Sequence, residues 1–207
     1  MYNIEEIKNT IICDDYNNVV ESIPDNWGHL IIRDFDAPLI CNSNYKIFDY
    51  LINEINNIVV KWTSKLINGC FFVFILPQDF SDENKYWSYV SNISAIFDMN
   101  NIVLHAHQKN APNGRQIIVG RKGKKTRKYI FRDVNLYDDT TYYKDGLFYL
   151  PVVKLVCDMT GISENIVDLG CGGGTICLAA KKEGRNFIGI DNIAGNVKIS
   201  RNRLNEI

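Results

Sequence analysis

The sequence predicts a three-layer α/β sandwich, a mostly parallel β-sheet with helices on both faces. Two observations carry that expectation. Short apolar runs bounded by turn residues alternate with longer stretches of helical apolar spacing, the pattern of strands joined by crossover helices. Near the C-terminus, one such run enters a glycine-rich turn that opens a helix and is followed by another apolar run.

Strands are expected at 10–13, 29–33, 70–76, 102–107, 116–120, 165–170 and 186–190. Ile47, Phe48, Leu51, Ile52, Ile55, Val59, Trp62 and Leu66 form a helical stripe over 45–67, which Asn68-Gly69 is expected to stop. Further helices are expected at 85–97, 148–159, 175–183 and 194–205. The segment 109–143 is less regular and is expected to leave the core sheet as a short insertion. The whole chain, 1–207, is expected to form one domain.

Composition narrows the function classes. With 46% hydrophobic and 23% charged residues the balance is that of a soluble globular protein. No apolar run approaches the ~18 residues of a membrane span, and the first residues lack a secretory pattern. Cys13, Cys41, Cys70, Cys157, Cys171 and Cys177 form no CxxC pair. A reducing cytoplasm is expected, with neither disulfides nor zinc. The net charge is −1, yet residues 99–132 contain no acid. They hold Lys109, Arg115, Arg121, Lys122, Lys124, Lys125, Arg127, Lys128 and Arg132, nine of the 23 basic residues. Such a stripe is the footprint of a polyanion-binding surface or, equally, of a solvated hairpin tip.

The glycine turn reads Asp168-Leu169-Gly170-Cys171-Gly172-Gly173-Gly174-Thr175. Glycines let the backbone bend tightly and let a ligand lie against it beside the free N–H groups of the helix start. Asp191 ends the next strand, placed to accept hydrogen bonds from two ribose hydroxyls. Thr175 stands where a dinucleotide fingerprint requires glycine, and no Gly-Lys-Ser/Thr follows, which excludes a phosphate-binding P-loop.

An Asp-x-Gly-x-Gly-x-Gly turn with a downstream acid is the pattern of S-adenosylmethionine-dependent methyltransferases. Its position near the C-terminus implies that the remaining strands come from upstream. In that order the chain resembles the permuted, beta-type DNA amino-methyltransferases, which act on adenine N6 or cytosine N4. The resemblance runs through "IICDDYNNVVESIPDNWGHLIIRDFDAP", "VVKWTSKLINGCFFVFI", "NNIVLHAHQKNAPNGRQIIVGRKGKK", "LFYLPVVKLVCDMTG", "NIVDLGCGGGTICLAAKKEGRNFIGID" and "AGNVKISRNRL". It implies a Rossmann-like, circularly permuted methyltransferase fold with S-adenosylmethionine as cofactor and DNA as substrate. Asp168, Gly170, Cys171, Gly172, Gly173 and Thr175 would hold its methionine end, Asp191 its ribose, and Asp14, with Asp15 as second choice, its adenine.

The family's catalytic motif is D/N/S-P-P-aromatic: an acidic or amide oxygen and a backbone carbonyl orient the target amine while a ring stacks on the flipped base. Here the same place reads Arg33-Asp34-Phe35-Asp36-Ala37-Pro38-Leu39. One register takes Asp36-Ala37-Pro38-Leu39, keeping acid, carbonyl and proline but losing the ring. The other takes Asp34-Phe35-Asp36-Ala37, without proline. Phe35 would supply stacking in either, and the first is preferred for its chemistry. Leu150 also stands where the family carries lysine. The basic stripe would hold DNA phosphates, with RNA as the other polyanion. The short insertion leaves room for a homo- or heterodimeric partner to complete recognition, as in restriction-modification systems.

The diverged turn keeps open a relic that binds cofactor or DNA without turnover, and the short insertion keeps open an RNA or small-molecule methyltransferase. His105 and His107 share a strand side but have no third ligand nearby in sequence, and this chemistry needs no metal.

Overall fold

The aliphatic runs fold as β1 (Thr10–Cys13), β2 (Gly28–Asp34), β3 (Leu66–Leu76), β4 (Ile102–Gln108), β5 (Gln116–Lys122), β6 (Asn165–Leu169) and β7 (Asn186–Asp191). The structure, a computed structural model, describes residues 2–35, 46–76, 83–108, 116–123 and 156–206. Its strands form one sheet in the order β1-β7-β6-β2-β3-β5-β4. The first five are mutually parallel, and β5 runs antiparallel to both β3 and β4.

Helices α1 (Ile4–Ile7), α2 (Tyr16–Val19), α3 (Lys46–Trp62) and α4 (Glu83–Met99) bury Ile7, Tyr16, Leu51, Ile55, Trp62, Ile93 and Phe97 in one core layer. Helices α5 (Thr175–Lys182) and α6 (Ala194–Asn205), with a helical turn at 156–159, bury Val156, Met159, Ile176, Leu178, Val197 and Leu204 in a second. Layers on both faces leave the inner strands no solvent side, so β3 is buried from Cys70 through Leu76. The expected sandwich is therefore the observed one. Among the described residues no helix is long and apolar enough to cross a membrane.

Two expectations need correction. Helix α3 stops at Trp62 rather than Ile67, because Asn26, Trp27 and Gly28 capture the carbonyls of Ser64 and Lys65 (2.8–2.9 Å) and turn the chain into the sheet. Leu66 and Ile67 are then the start of β3, and Gly69 (φ +85°) bends within the strand instead of capping a helix. The span from Lys109 onward also does not leave the sheet as a whole: β5 is inserted between β3 and β4.

Strand β5 is tightly packed. A Cβ at Gly120 would lie 2.6 Å from the Phe97 ring and 2.7 Å from Ile102 Cγ2. Gly120→Ala is expected to cost about 1–3 kcal/mol through overpacking. Urea denaturation would read this as a lower midpoint at unchanged slope, and an unchanged midpoint would count against it.

Strand β6 lies between β7 and β2, although β2 comes more than a hundred residues earlier in the chain. From β6 the chain passes through α5 to β7 on one side, while β2 flanks it on the other. That is the switch point of an open α/β sheet, whose crevice lies at the carboxyl ends of the strands.

Candidate functional site

The carboxyl ends of β1, β7, β6 and β2 form one rim, and the predicted acids Asp14, Asp191, Asp168 and Asp34 all lie on it. Register aligns Cys13 with Asp191, Leu169 with Ile190, and Asp168 with Ile32.

The glycines of the turn have different physical jobs. Gly170 (φ +79°) leaves room for Arg33, whose Nη1 would be 1.3 Å from an added Cβ. Gly174 (φ +77°) begins α5 and lets α6 approach, since its Cβ would lie 2.6 Å from Ser200 Cβ. Gly172 (φ +51°) also adopts a left-handed conformation, but a Cβ there meets nothing within 4 Å. Its side of the turn is open space where a ligand can lie against backbone. The turn is anchored by the N–H groups of Gly170 and Cys171, which donate to the Ile190 carbonyl at 2.7 and 2.9 Å. Arg203 donates to the Gly173 carbonyl and, at 3.4 Å, to Thr175 Oγ1. Cys171 is buried, so its side chain packs rather than faces outward.

Asp191 is 7% exposed and aimed by its neighbours. Gly172 N–H donates to Oδ2 (2.8 Å), Ile193 N–H donates to Oδ1 (2.8 Å), and Asn196 Nδ2 reaches both oxygens at 3.2 and 3.4 Å. Asp168 is 1% exposed. Burial pushes its carboxyl up to about 7, opposed by nearby Arg33 and by a weak bond from the Cys177 thiol (3.6 Å to Oδ2). Its Oδ1 is buried without a donor. A buried acceptor of this kind is a reason to expect a ligand.

Asp14 accepts from Asn18 (2.9 Å), Tyr2 hydroxyl (2.8 Å) and the Asp15 amide (2.7 Å), and the Asn18 and Tyr2 bonds hold its carboxyl below the ordinary range. Asp15 is committed elsewhere: it caps α2 by accepting from Asn17 N–H at 2.8 Å.

Asp34 lies within β2, paired with β3 at Ile75, and is partly buried. Phe35 needs correction. It is 2% exposed with its ring 6.3 Å from that of Phe74, because Ile31, Arg33 and Phe35 alternate onto one face of β2 and Phe35 joins the core. A ring so enclosed has no face for a base. Asp36, Ala37 and Pro38 lie outside the described residues, as do Lys109, Arg115, Lys124, Lys125, Arg127 and Lys128.

Arg121 and Lys122 fall on the wrong end of the sheet for the expected nucleic-acid role. Antiparallel pairing sets Arg121 opposite Phe71 and Gln116 opposite Leu76, so β5 finishes at the amino ends of the parallel strands, about 15–20 Å from the rim. Lys122 donates to the Leu66 carbonyl at 2.6 Å, and burial lowers its ammonium.

Sequence reasoning missed Arg33 and Asn196. Arg33 donates to the Leu169 carbonyl at 2.6 Å and lies 5.9 and 5.4 Å from the ring centres of Tyr16 and Phe35. The signal was a cation inside an otherwise aliphatic strand end. A separate cavity of about 900 Å³ opens beside β1. Three of its basic residues are already committed to carbonyls: Arg201 to Ile11 at 2.6 Å, Arg185 to Thr160 at 2.8 Å and Lys181 to Leu204 at 2.6 Å.

No protein-family model and no curated protein matches the chain. Solved structures do. A candidate DNA modification methylase of Thermus thermophilus aligns with a TM-score of 0.72 at 16% identity, over 95% of this chain and 94% of that one. Its complex with S-adenosyl-L-methionine gives 0.71 at 15% identity, over 95% and 93%. The complex of M1.HpyAVI with the same cofactor gives 0.64 at 17%, over 95% and 98%, and the cytosine-N4-specific PvuII DNA methyltransferase 0.62 at 12%, over 93% and 85%. At these identities the likeness speaks for architecture. The chain has the α/β fold shared by these methylases, with its glycine turn and four acids gathered on one rim of that sheet.

Proposed function

We propose that the chain is an S-adenosylmethionine-dependent methyltransferase acting on an exocyclic amine of DNA, adenine N6 ahead of cytosine N4. The observation that carries this reading is the rim itself. An open cradle at Gly172, an oriented carboxylate at Asp191 and an unpartnered buried oxygen at Asp168 lie side by side. Each fits one part of the cofactor: backbone contact along the turn, ribose hydroxyls, and the methionyl ammonium. Asp14 extends the row toward the adenine. Two of the similar methylases are known in complex with this cofactor, which supports the assignment. A permuted strand order accounts for β6 and β7 following strands β1 to β5 in the chain.

The cofactor supplies an electrophilic methyl group on sulfonium. The protein's part is to orient the amine. In the preferred register, Asp36 and the Ala37 carbonyl would accept hydrogen bonds from the amine and hold its lone pair toward the methyl group, with the surplus proton passing to solvent after transfer. Strand β2 runs through Asp34, and Phe35 N–H still pairs with the Ile75 carbonyl at 2.9 Å. A turn opening at Asp36 suits that strand end better than one opening at Asp34. Lys109, Arg115, Lys124, Lys125, Arg127 and Lys128 would supply phosphate contacts without Arg121 and Lys122.

A second reading, a homologue that binds cofactor or DNA without turnover, draws on the burial of Phe35 and the presence of Leu39 where an aromatic ring is expected. Incubation with tritiated S-adenosylmethionine and mixed-sequence DNA separates the two. Label in DNA above a heat-inactivated control supports transfer, and its position on adenine or cytosine names the target. Cofactor binding by calorimetry with no label in DNA supports the second reading.

A further inference from the structure

The rim leaves one charged group of each sign short of partners. Asp168 Oδ1 is buried without a donor, and Arg33 Nε is buried without an acceptor. The two side chains rise from the ends of adjacent strands on opposite faces of the sheet: Asp168 aligns with Ile32 and meets Cys177, while Arg33, one residue further on, packs against Tyr16 and Phe35. No ion pair joins them among the described residues. The guanidinium has five donors, and its bond to the Leu169 carbonyl uses Nη1 alone.

Its position is specified by its surroundings. Gly170 is shaped around Nη1, and the rings of Tyr16 and Phe35 flank the guanidinium. Tyr16 is itself held by donating to Glu54. Burying a cation against two rings and a carbonyl is costly unless an anion completes its hydrogen bonds.

We propose that Arg33 is the carboxylate-reading residue of this site, taking the α-carboxylate of the cofactor's amino-acid end while Asp168 takes its ammonium. The inference rests on the cofactor assignment above. A planar fork of donors reaching over the strand end suits a carboxylate, and an acceptor across that end from it suits the ammonium on the same carbon. Together they select a nucleoside carrying a zwitterionic tail over one without it.

The test compares S-adenosylhomocysteine with 5′-methylthioadenosine, which keeps the adenosine and the sulfur but lacks the amino acid. Calorimetry on the wild type and Arg33→Met is expected to show affinity for S-adenosylhomocysteine falling about tenfold to a hundredfold. Affinity for methylthioadenosine should stay within about twofold. Arg33→Lys, a point charge without the fork, should recover part of the loss. Equal losses on both ligands would make Arg33 a structural staple and overturn the proposal, as would no loss on either. Should Arg33→Met not fold, the same comparison on Arg33→Lys decides, with a selective loss supporting the proposal and none overturning it. A wild type that binds neither nucleoside overturns the cofactor assignment itself, an outcome distinct from the failure of Arg33 alone.

Discussion

Replacing Asp191 by alanine is expected to weaken S-adenosylhomocysteine binding by about a hundredfold or more. The carboxylate ends β7 where two ribose hydroxyls would donate to it, and hydrogen bonds to a charged group are worth about 1.5–3 kcal/mol each. Its position is set by three groups of this chain: the Gly172 and Ile193 amides at 2.8 Å and the Asn196 amide at 3.2 Å. Alanine removes the ribose acceptor and also leaves those two backbone N–H groups without one, so the turn beside Gly172 loosens. Asp191→Asn separates the contributions. It retains one acceptor oxygen for the backbone but loses the charge, and an intermediate affinity is expected. Asn196→Ala should cost much less, since it removes one orienting bond and leaves the carboxylate in place. Calorimetry reads all three, with thermal unfolding confirming the fold. Unchanged affinity in a folded Asp191→Ala would show that this rim does not hold a ribose.

How much of this was legible follows from which forces are local. The limits of β1 and α6 could be read from apolar runs and turn residues because those signals lie within a few residues of each other. Asp191 was legible because one strand–turn–helix–strand unit contains both it and the glycines. Arg33 was not, since its role depends on Leu169, 136 residues away, and the adjacency of β2 and β6 is written in no local pattern. Phe35 was legible in principle. Strand parity puts it on the face of Ile31, which is core, but the neighbouring acidic turn suggested a stacking ring instead. Lys122 misled for a topological reason: the charge was visible, whereas the antiparallel direction of β5, which carries it to the far rim, was not.

Asp168→Asn is expected to stabilise the ligand-free protein at pH 8 while destroying cofactor affinity. Burial, the largest influence, and the Asp191 charge from β7 raise this carboxyl, the Arg33 guanidinium from β2 and the Cys177 thiol from α5 lower it, and the balance takes it from 3.8 to about 7. Between those two pH values the folded chain holds a proton that the unfolded chain releases. Stability from this group is therefore full below about pH 4, declines as pH rises, and levels off above about 7. Three units correspond to about 4 kcal/mol lost by pH 8. Asparagine has no charge to bury, so the variant and wild type should unfold at similar temperatures near pH 4. At pH 8 the variant should be higher by about 10 °C. Binding should show the opposite trend. If the cofactor's ammonium requires the ionised carboxylate, wild-type affinity for S-adenosylhomocysteine rises about tenfold per pH unit below 7 and flattens above it. The variant should bind weakly with no such dependence. Calorimetric scans and binding isotherms at pH 5, 6, 7 and 8 test both arms. Parallel stability profiles for the two proteins would show that Asp168 is not a buried charge, and the case for a ligand-seeking oxygen beside Gly170 would fall with it.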